Sequence, residues 1–454
     1  PLDKLQIFSP DFDTGDAAEY SSQLERDVAT ILSDVTDTDL QDIRANTSFY
    51  HVGLDSISAI SFSRKLREAG FGQLDVSTIL RQSSVSRLSA VISSRNNKHA
   101  PRNDASTEFK DIFGDDFIQR TKEEFAETGK SVQAIYPCTP LQEAMLSAEV
   151  SQSRSAYFNH LLFEVHVDFG RLQEVLCKML ERHAILKTCF KATNNAQFAY
   201  AQVVLGNATL PFHYIDISGC QLDTQVDKQK LQFQDQFQVS GALPYSLTFF
   251  RDHTRCKSFL FFSIHHALYD GEAIGQMFQE VQSIFYSQPV PEIVPFEHFI
   301  RHMLSADVDI SDSYWDHYLL SVSPSLLSGF KVDDSVNTAP FQSHIDLRIP
   351  YDLFKMKCRD ALVTPLSAFH TAWARLLSLY LDSSDVCFGN VASCRTIPLE
   401  GADRIVGPCF NTLPVRVKFT STATNEDIMR LSTRNNSEML LHQLTPLRHI
   451  QKRS

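Results

Sequence analysis

The sequence contains no run of apolar residues approaching the ~18 needed to cross a membrane. Its richest stretch, Leu376-Leu377-Ser378-Leu379-Tyr380-Leu381, reads as a core helix. There is no basic excess: 42 Lys and Arg stand against 54 Asp and Glu, a formal charge of -12. That balance argues against a general affinity for nucleic acid or an anionic membrane. Short clusters such as Lys65-Leu66-Arg67 read as solvated faces. None of the nine cysteines forms a Cys-x-x-Cys pair, so they read as free thiols of a reducing, cytoplasmic setting. Pro1 to Tyr20 carries acids and no signal-peptide core, and the absence of a starting Met suggests a piece of something longer. No phosphate-binding glycine loop and no internal repeat is evident.

What is present is a globular composition, 43% hydrophobic and 21% charged over 454 residues, a length that fits two or three domains. The densest chemistry lies in Ser263-Ile264-His265-His266-Ala267-Leu268-Tyr269-Asp270-Gly271. The aromatic, apolar run Phe259 to Ile264 predicts a buried strand. After Gly271, residues Ala273, Ile274, Met277, Phe278, Val281, Ile284 and Phe285 recur at helical spacing, with Asp270 placed to cap that helix. Neighbouring side chains on a strand point to opposite faces, so His265 and His266 cannot share one cavity. One is expected to pack and the other to work. From the residues alone, a packed core motif, an acid/base site and a metal site all remain open. Metal is disfavoured because no third His or Cys follows at a ligand-like interval.

Residues 19–95 read as a small helical unit, with Leu24, Val28, Ile31 and Leu32, then Ile57, Ile60 and Leu66, then Val85, Leu88, Val91 and Ile92 at helical spacing. Gly70 and Gly72 mark the end of the second helix. Ser56 stands directly before that helix. It is either an ordinary N-cap or an exposed serine in a field that favours an attached phosphate. Residues 96–130 read as a polar, aperiodic linker followed by a docking helix carrying Phe109, Ile112, Phe113, Phe117, Ile118 and Phe125. Beyond it, strand-like stretches such as Leu161 to Val167 and Phe198 to Val204 mix with helical ones such as Leu172 to Leu180, predicting an α/β or α+β domain.

Gly53-Leu54-Asp55-Ser56-Ile57-Ser58-Ala59-Ile60 resembles the phosphopantetheine attachment motif of thiolation (peptidyl carrier) domains in nonribosomal peptide synthetases. Tyr136 to Leu146, Glu181 to Phe190, His265 to Gly271, Val406 to Arg416 and His442 to Leu447 resemble, in order, five core motifs of the condensation domains of the same synthetases. The resemblance implies a four-helix carrier bundle over 19–95, and a two-lobed fold like chloramphenicol acetyltransferase with lobes at 131–300 and 301–454. No seventh motif follows, so the second lobe is expected to be incomplete. It also implies 4'-phosphopantetheine on Ser56 and His266 as general base or orienting group. Gly271 and Asn411 are further catalytic candidates, His265 a packing residue, and Asp270 a structural residue paired with Arg182. No metal is implied. Implied partners are acyl or peptidyl thioesters on carriers, an upstream adenylation domain, other carriers of the synthetase and a phosphopantetheinyl transferase; a monomer is expected. The phrasing is similar to fungal siderophore synthetase modules. The alternatives are a condensation-like docking module without catalysis and a coenzyme A-dependent acyltransferase.

Overall fold

Helix α1 (Gln23–Thr36) begins where Ser22 accepts the amide N–H of Glu25 at 3.2 Å, and Glu25 reaches back to Ser21. The computed structural model describes residues 19–49, 52–54, 56–72, 74, 76–95, 109–151, 157–217, 222–237, 241–322, 344, 346 and 348–453. Three further helices follow in the N-terminal region: α2 (Ser56–Glu68), α3 (Val76–Gln82) and α4 (Val85–Arg95). Helix α1 packs on α2 and α4, and α2 on α3. Their apolar stripes meet in a core of Val28, Leu32, Ile43, Phe49, Phe62, Leu66, Ile79, Leu88 and Ile92, all buried. The periodic stretches of the sequence correspond to α1, α2 and α4. Residues 96–108 of the expected linker lie outside the described residues.

The chain divides into two compact units. One contains the described residues within 1–101, 329–375 and 420–437, the other those within 102–328, 376–419 and 438–454. Besides the helices above, the first unit holds α13 (Tyr351–Asp360), most of α14 (Pro365–Leu381) and most of α15 (Asn425–Met439), numbered in chain order with the elements below. There Asn436 donates to Ser367 at 3.1 Å, and Arg430 donates to the Ala361 carbonyl at 3.1 Å.

In the second unit the expected docking helix is two helices, α5 (Lys110–Phe113) and α6 (Asp115–Glu127). They break at Gly114, whose φ of 74° no continuous helix accommodates. After them come β1 (Val132–Pro137), α7 (Pro140–Ser151), β2 (Phe158–Val165), α8 (Phe169–Arg182), β3 (Thr188–Ala192), β4 (Tyr200–Leu205) and β5 (Phe212–Ile217). Next are α9 (Leu222–Phe237), β6 (Tyr245–Asp252), β7 (Lys257–His265), α10 (Gly271–Phe285), α11 (Phe296–Leu304) and α12 (Val308–Tyr318), and later β8 (Asp385–Ala392), β9 (Asn411–Lys418) and α16 (Leu447–Arg453).

Strands β1-β4-β3 form an antiparallel sheet, β8-β9 a two-stranded one, and β2-β7-β6-β5 a mixed sheet in which only β5 and β6 run parallel. Strand β7 lies inside the mixed sheet, which explains a sequence that is apolar on both faces. Its alternation sorts the residues. Phe259, Phe261 and His265 face α9, where Val226, Phe233 and Phe237 wait. Leu260, Phe262 and Ile264 face the core built by α8 and α10 with Leu172, Leu176, Met179, Ala273 and Met277.

Candidate functional site

Strand β7 ends at His265 and the chain tightens into one 3₁₀ turn, His266–Leu268, before Asp270 opens α10. From Phe259 to Asp270 every residue is buried except His266, which is partly exposed. The strand's alternation sends His265 inward, stacked on Phe237 at 4.9 Å and 11°. Its Nδ1 accepts the Ala267 N–H at 3.1 Å, so the ring proton of the neutral form sits on Nε2. Burial, with a smaller contribution from His266, pushes the pKa of His265 down to about 3, so it stays neutral.

His266 has the opposite tautomer. Its Nδ1 lies 2.9 Å from the Tyr269 carbonyl oxygen, which only accepts, so Nδ1 carries the proton and Nε2 carries the lone pair. Its backbone N–H is held by the Tyr157 carbonyl at 2.9 Å. The turn below is pinned by Gln142, fully buried, whose amide donates to the Ala267 carbonyl at 2.9 Å.

Asp270 caps α10, accepting the Ala273 N–H at 2.8 Å. Its partner is Arg395, whose Nη2 donates to both carboxylate oxygens at 2.7 and 2.8 Å, and the Cys409 N–H adds a third bond at 2.9 Å. The expected pair with Arg182 is thereby corrected. Arg182 donates instead to Glu280 at 3.1 Å and to the Pro291 carbonyl, and Glu280 also holds buried His183 at 2.8 Å. The physical reason is position: Arg182 ends α8 beside α10 and meets the acid nearly three turns past the cap, not the cap itself. Arg395 also donates to the carbonyls of Ala402, Ile405 and Gly407, so both of its terminal nitrogens are engaged in a buried site, while Nε lies 3.6 Å from Glu272. Removing one partner of such a pair strands a buried charge and costs ~3–5 kcal/mol.

Gly271 is the exposed first residue of α10, and a Cβ added there would meet nothing within 4 Å. No neighbour in the chain demands a glycine there; the backbone faces open space. Asn411 starts β9 with its amide donating to the carbonyls of Gln443 and Thr445 at 2.9 and 2.7 Å. Both donors are engaged in the scaffold, which makes it a brace for the 443–445 turn. Among the described residues no cluster of His, Cys, Asp or Glu is arranged to hold a metal. Burial pushes the thiols of Cys189 and Cys409 up to about 12, which keeps them protonated and inert.

Comparison with known proteins decides the family. The condensation-domain model matches residues 132–454, and the phosphopantetheine attachment site model matches residues 26–92. The chain belongs to the condensation-domain family of nonribosomal peptide synthetases. A nonribosomal peptide synthetase sidC of Arthroderma benhamiae is 36% identical over 99% of this chain, and the chain covers 9% of that protein. The hydroxamate-type ferrichrome siderophore peptide synthetase of Schizosaccharomyces pombe is 26% identical over 93% of the chain, which covers 8% of it. The chain thus spans about a tenth of the length of such relatives. Among solved structures, the crystal structure of CT aligns with a TM-score of 0.58 at 21% identity, covering 74% of this chain and 75% of that one. The condensation domain of the Monacolin K polyketide synthase MokA aligns at 0.56 and 19%, covering 71% and 76%. These likenesses show the α/β fold, like that of chloramphenicol acetyltransferase.

The condensation domain uses residues at this site that its sequence does not advertise. Arg395 has no acid within four positions, and only the fold brings Asp270 to it. Gln142 sits inside a recognisable motif, yet its role emerges only from its bond to Ala267. For the carrier region, the cofactor is covalently bound 4'-phosphopantetheine. The residues fit it: Ser56 is the first residue of α2, no acid occupies the first turn, and Gly53, at φ 81°, has among the described residues only the Arg359 stem near the position of an added Cβ.

Proposed function

We propose that this segment works within a fungal hydroxamate siderophore synthetase, with Ser56 as the attachment residue of the carrier and His266 as the proton-handling residue of the condensation domain. The observation that carries the reading is the single partly exposed side chain in an otherwise buried loop: His266, its Nδ1 proton bound to the Tyr269 carbonyl and its Nε2 lone pair available. When attached, the phosphopantetheine thiol supplies the acyl group as an activated thioester. An amine or hydroxyl attacks the carbonyl carbon, forming the new C–N or C–O bond as the C–S bond breaks. His266 Nε2 orients the nucleophile, takes its proton and returns a proton to the departing sulfur. Asp270, bound to Arg395 on the far side of the loop, holds the frame and touches no reacting atom. The name of the Schizosaccharomyces pombe relative, a hydroxamate-type ferrichrome siderophore peptide synthetase, supports hydroxamate siderophore units as the acyl groups. An adenylation domain and other carriers of the same synthetase, a phosphopantetheinyl transferase and a cytoplasmic setting complete the reading.

Intact-mass measurement after incubation with a phosphopantetheinyl transferase and coenzyme A tests the carrier half. A gain of one phosphopantetheine that disappears in Ser56→Ala is expected; a gain that survives the substitution refutes the assignment. For the second half, His266→Ala is expected to slow transfer to a hydroxyl nucleophile by about 10²–10⁴-fold and to an amine by less, because a free amine needs less help with its proton. Unchanged transfer to both removes His266 from the chemistry.

A further inference from the structure

Two aromatic rings pack against the His266 imidazole, one stacked and one tilted. The Tyr269 ring is 4.7 Å away at 20°, and the Phe410 ring 5.0 Å away at 31°. Both centroid distances fall in the range in which aromatic rings attract, so the imidazole is packed by one ring from its own loop and one from a distant segment. Both rings are themselves held. Tyr269 is buried, with the Asn159 side chain, on the β2 residue paired with Ile264 of β7, beside its hydroxyl. Phe410 sits between Cys409, whose N–H is bound to Asp270, and Asn411, whose amide braces the 443–445 turn.

The torsion between Cβ and an imidazole ring is broad and shallow, so a histidine does not fix its own ring plane. The hydrogen bond from Nδ1 to the Tyr269 carbonyl fixes which edge points inward, and the two rings fix the plane. We infer that Tyr269 and Phe410 are positioning residues that lock the His266 ring so that Nε2 meets the nucleophile along one direction. The inference rests on the reading of His266 as the proton-handling residue. It assigns a task to one of the three residues between His266 and Asp270, and it ties the ring to a segment more than a hundred residues downstream. A displacement of about 1 Å at such a group can cost about 10²-fold in rate, so this packing bears directly on turnover.

The test uses the 454-residue chain labelled with ¹⁵N-histidine, in which His266 is assigned among the 16 histidines as the imidazole signals lost in His266→Ala. The wild type is expected to show one tautomer, protonated on Nδ1, with sharp signals. Tyr269→Phe keeps the ring and is expected to keep those signals, with transfer within about threefold of wild type. Tyr269→Leu and Phe410→Leu keep the backbone carbonyl but remove a ring; broadened, averaged imidazole signals and a loss of tenfold or more in transfer are expected. Should Tyr269→Leu fail to fold, Tyr269→Met, which fills more of the buried volume without a ring, takes its place. Imidazole signals unchanged in both ring-removal variants overturn the inference. Full transfer by His266→Ala overturns the reading beneath it, and the imidazole signals still decide whether the rings hold the histidine.

Discussion

His265 and His266 are neighbours in sequence, yet the proton of each neutral ring sits on a different nitrogen, because one accepts an amide N–H and the other donates to a carbonyl. The buried member gives a pH signature. An unfolded histidine titrates near 6.5, whereas folded His265 titrates at about 3, so between these values the unfolded chain binds the extra proton. Stability from this residue is therefore complete above about pH 6.5 and is lost as pH falls towards 3, by ~1.4 kcal/mol per pH unit. Urea midpoints between pH 7 and 5 are expected to fall less steeply in His265→Asn, which retains an acceptor for the Ala267 N–H. Equal slopes in the two proteins refute the assignment. That one histidine packs while its neighbour stays partly exposed follows from strand alternation and is legible in the sequence, as is Asp270 as a cap. The ion pair was not legible: Arg182 and Arg395 are both arginines in recognisable neighbourhoods, and only the path of the chain decides that the first meets Glu280 and the second Asp270.

Elements with strong periodicity were readable and weakly patterned ones were not. The apolar run of β7 and the stripe of α10 fall where expected, and Leu161 to Val167 and Phe198 to Val204 overlap β2 and β4. Helix α9 escapes detection because Gln and Asp fill most of its turns, leaving Val226 and Phe233 as its buried residues. Helix α14 matches the expectation of a helix at Leu376 to Leu381 but not of a core one. Ser367, His370, Thr371, Ala374 and Leu377 are buried, while Leu366, Phe369, Trp373, Leu376 and Tyr380 form an exposed stripe on another side. The chain has only two tryptophans, Trp315 at 1% exposure and Trp373 at 49%. Acrylamide is expected to quench one component of the emission and spare the other, and Trp373→Phe is expected to remove the quenchable component. A single, uniformly shielded population in the wild type contradicts the exposed stripe.

Over the whole molecule, separate cores imply separable folding. The core of α1 to α4 is built from residues 28 to 92, with Phe49 edge-on to Phe62 at 5.7 Å. A polypeptide of residues 19–95 is expected to give a helical circular dichroism spectrum with a cooperative thermal transition; a chain that melts without cooperativity shows that this core needs the rest of the molecule. The condensation site has no such independence, since Asp270 and Arg395 are separated by 125 residues. Translation adds ~5–20 residues per second, so the histidine loop leaves the ribosome roughly 6–25 s before the arginine that completes it. During that interval the newborn polypeptide holds an acid without its cation, and His266 without the Phe410 ring. Maturation of the site is therefore timed by synthesis of the downstream segment, and a ribosome stalled between the two leaves a nascent chain that carries the histidines but not their setting.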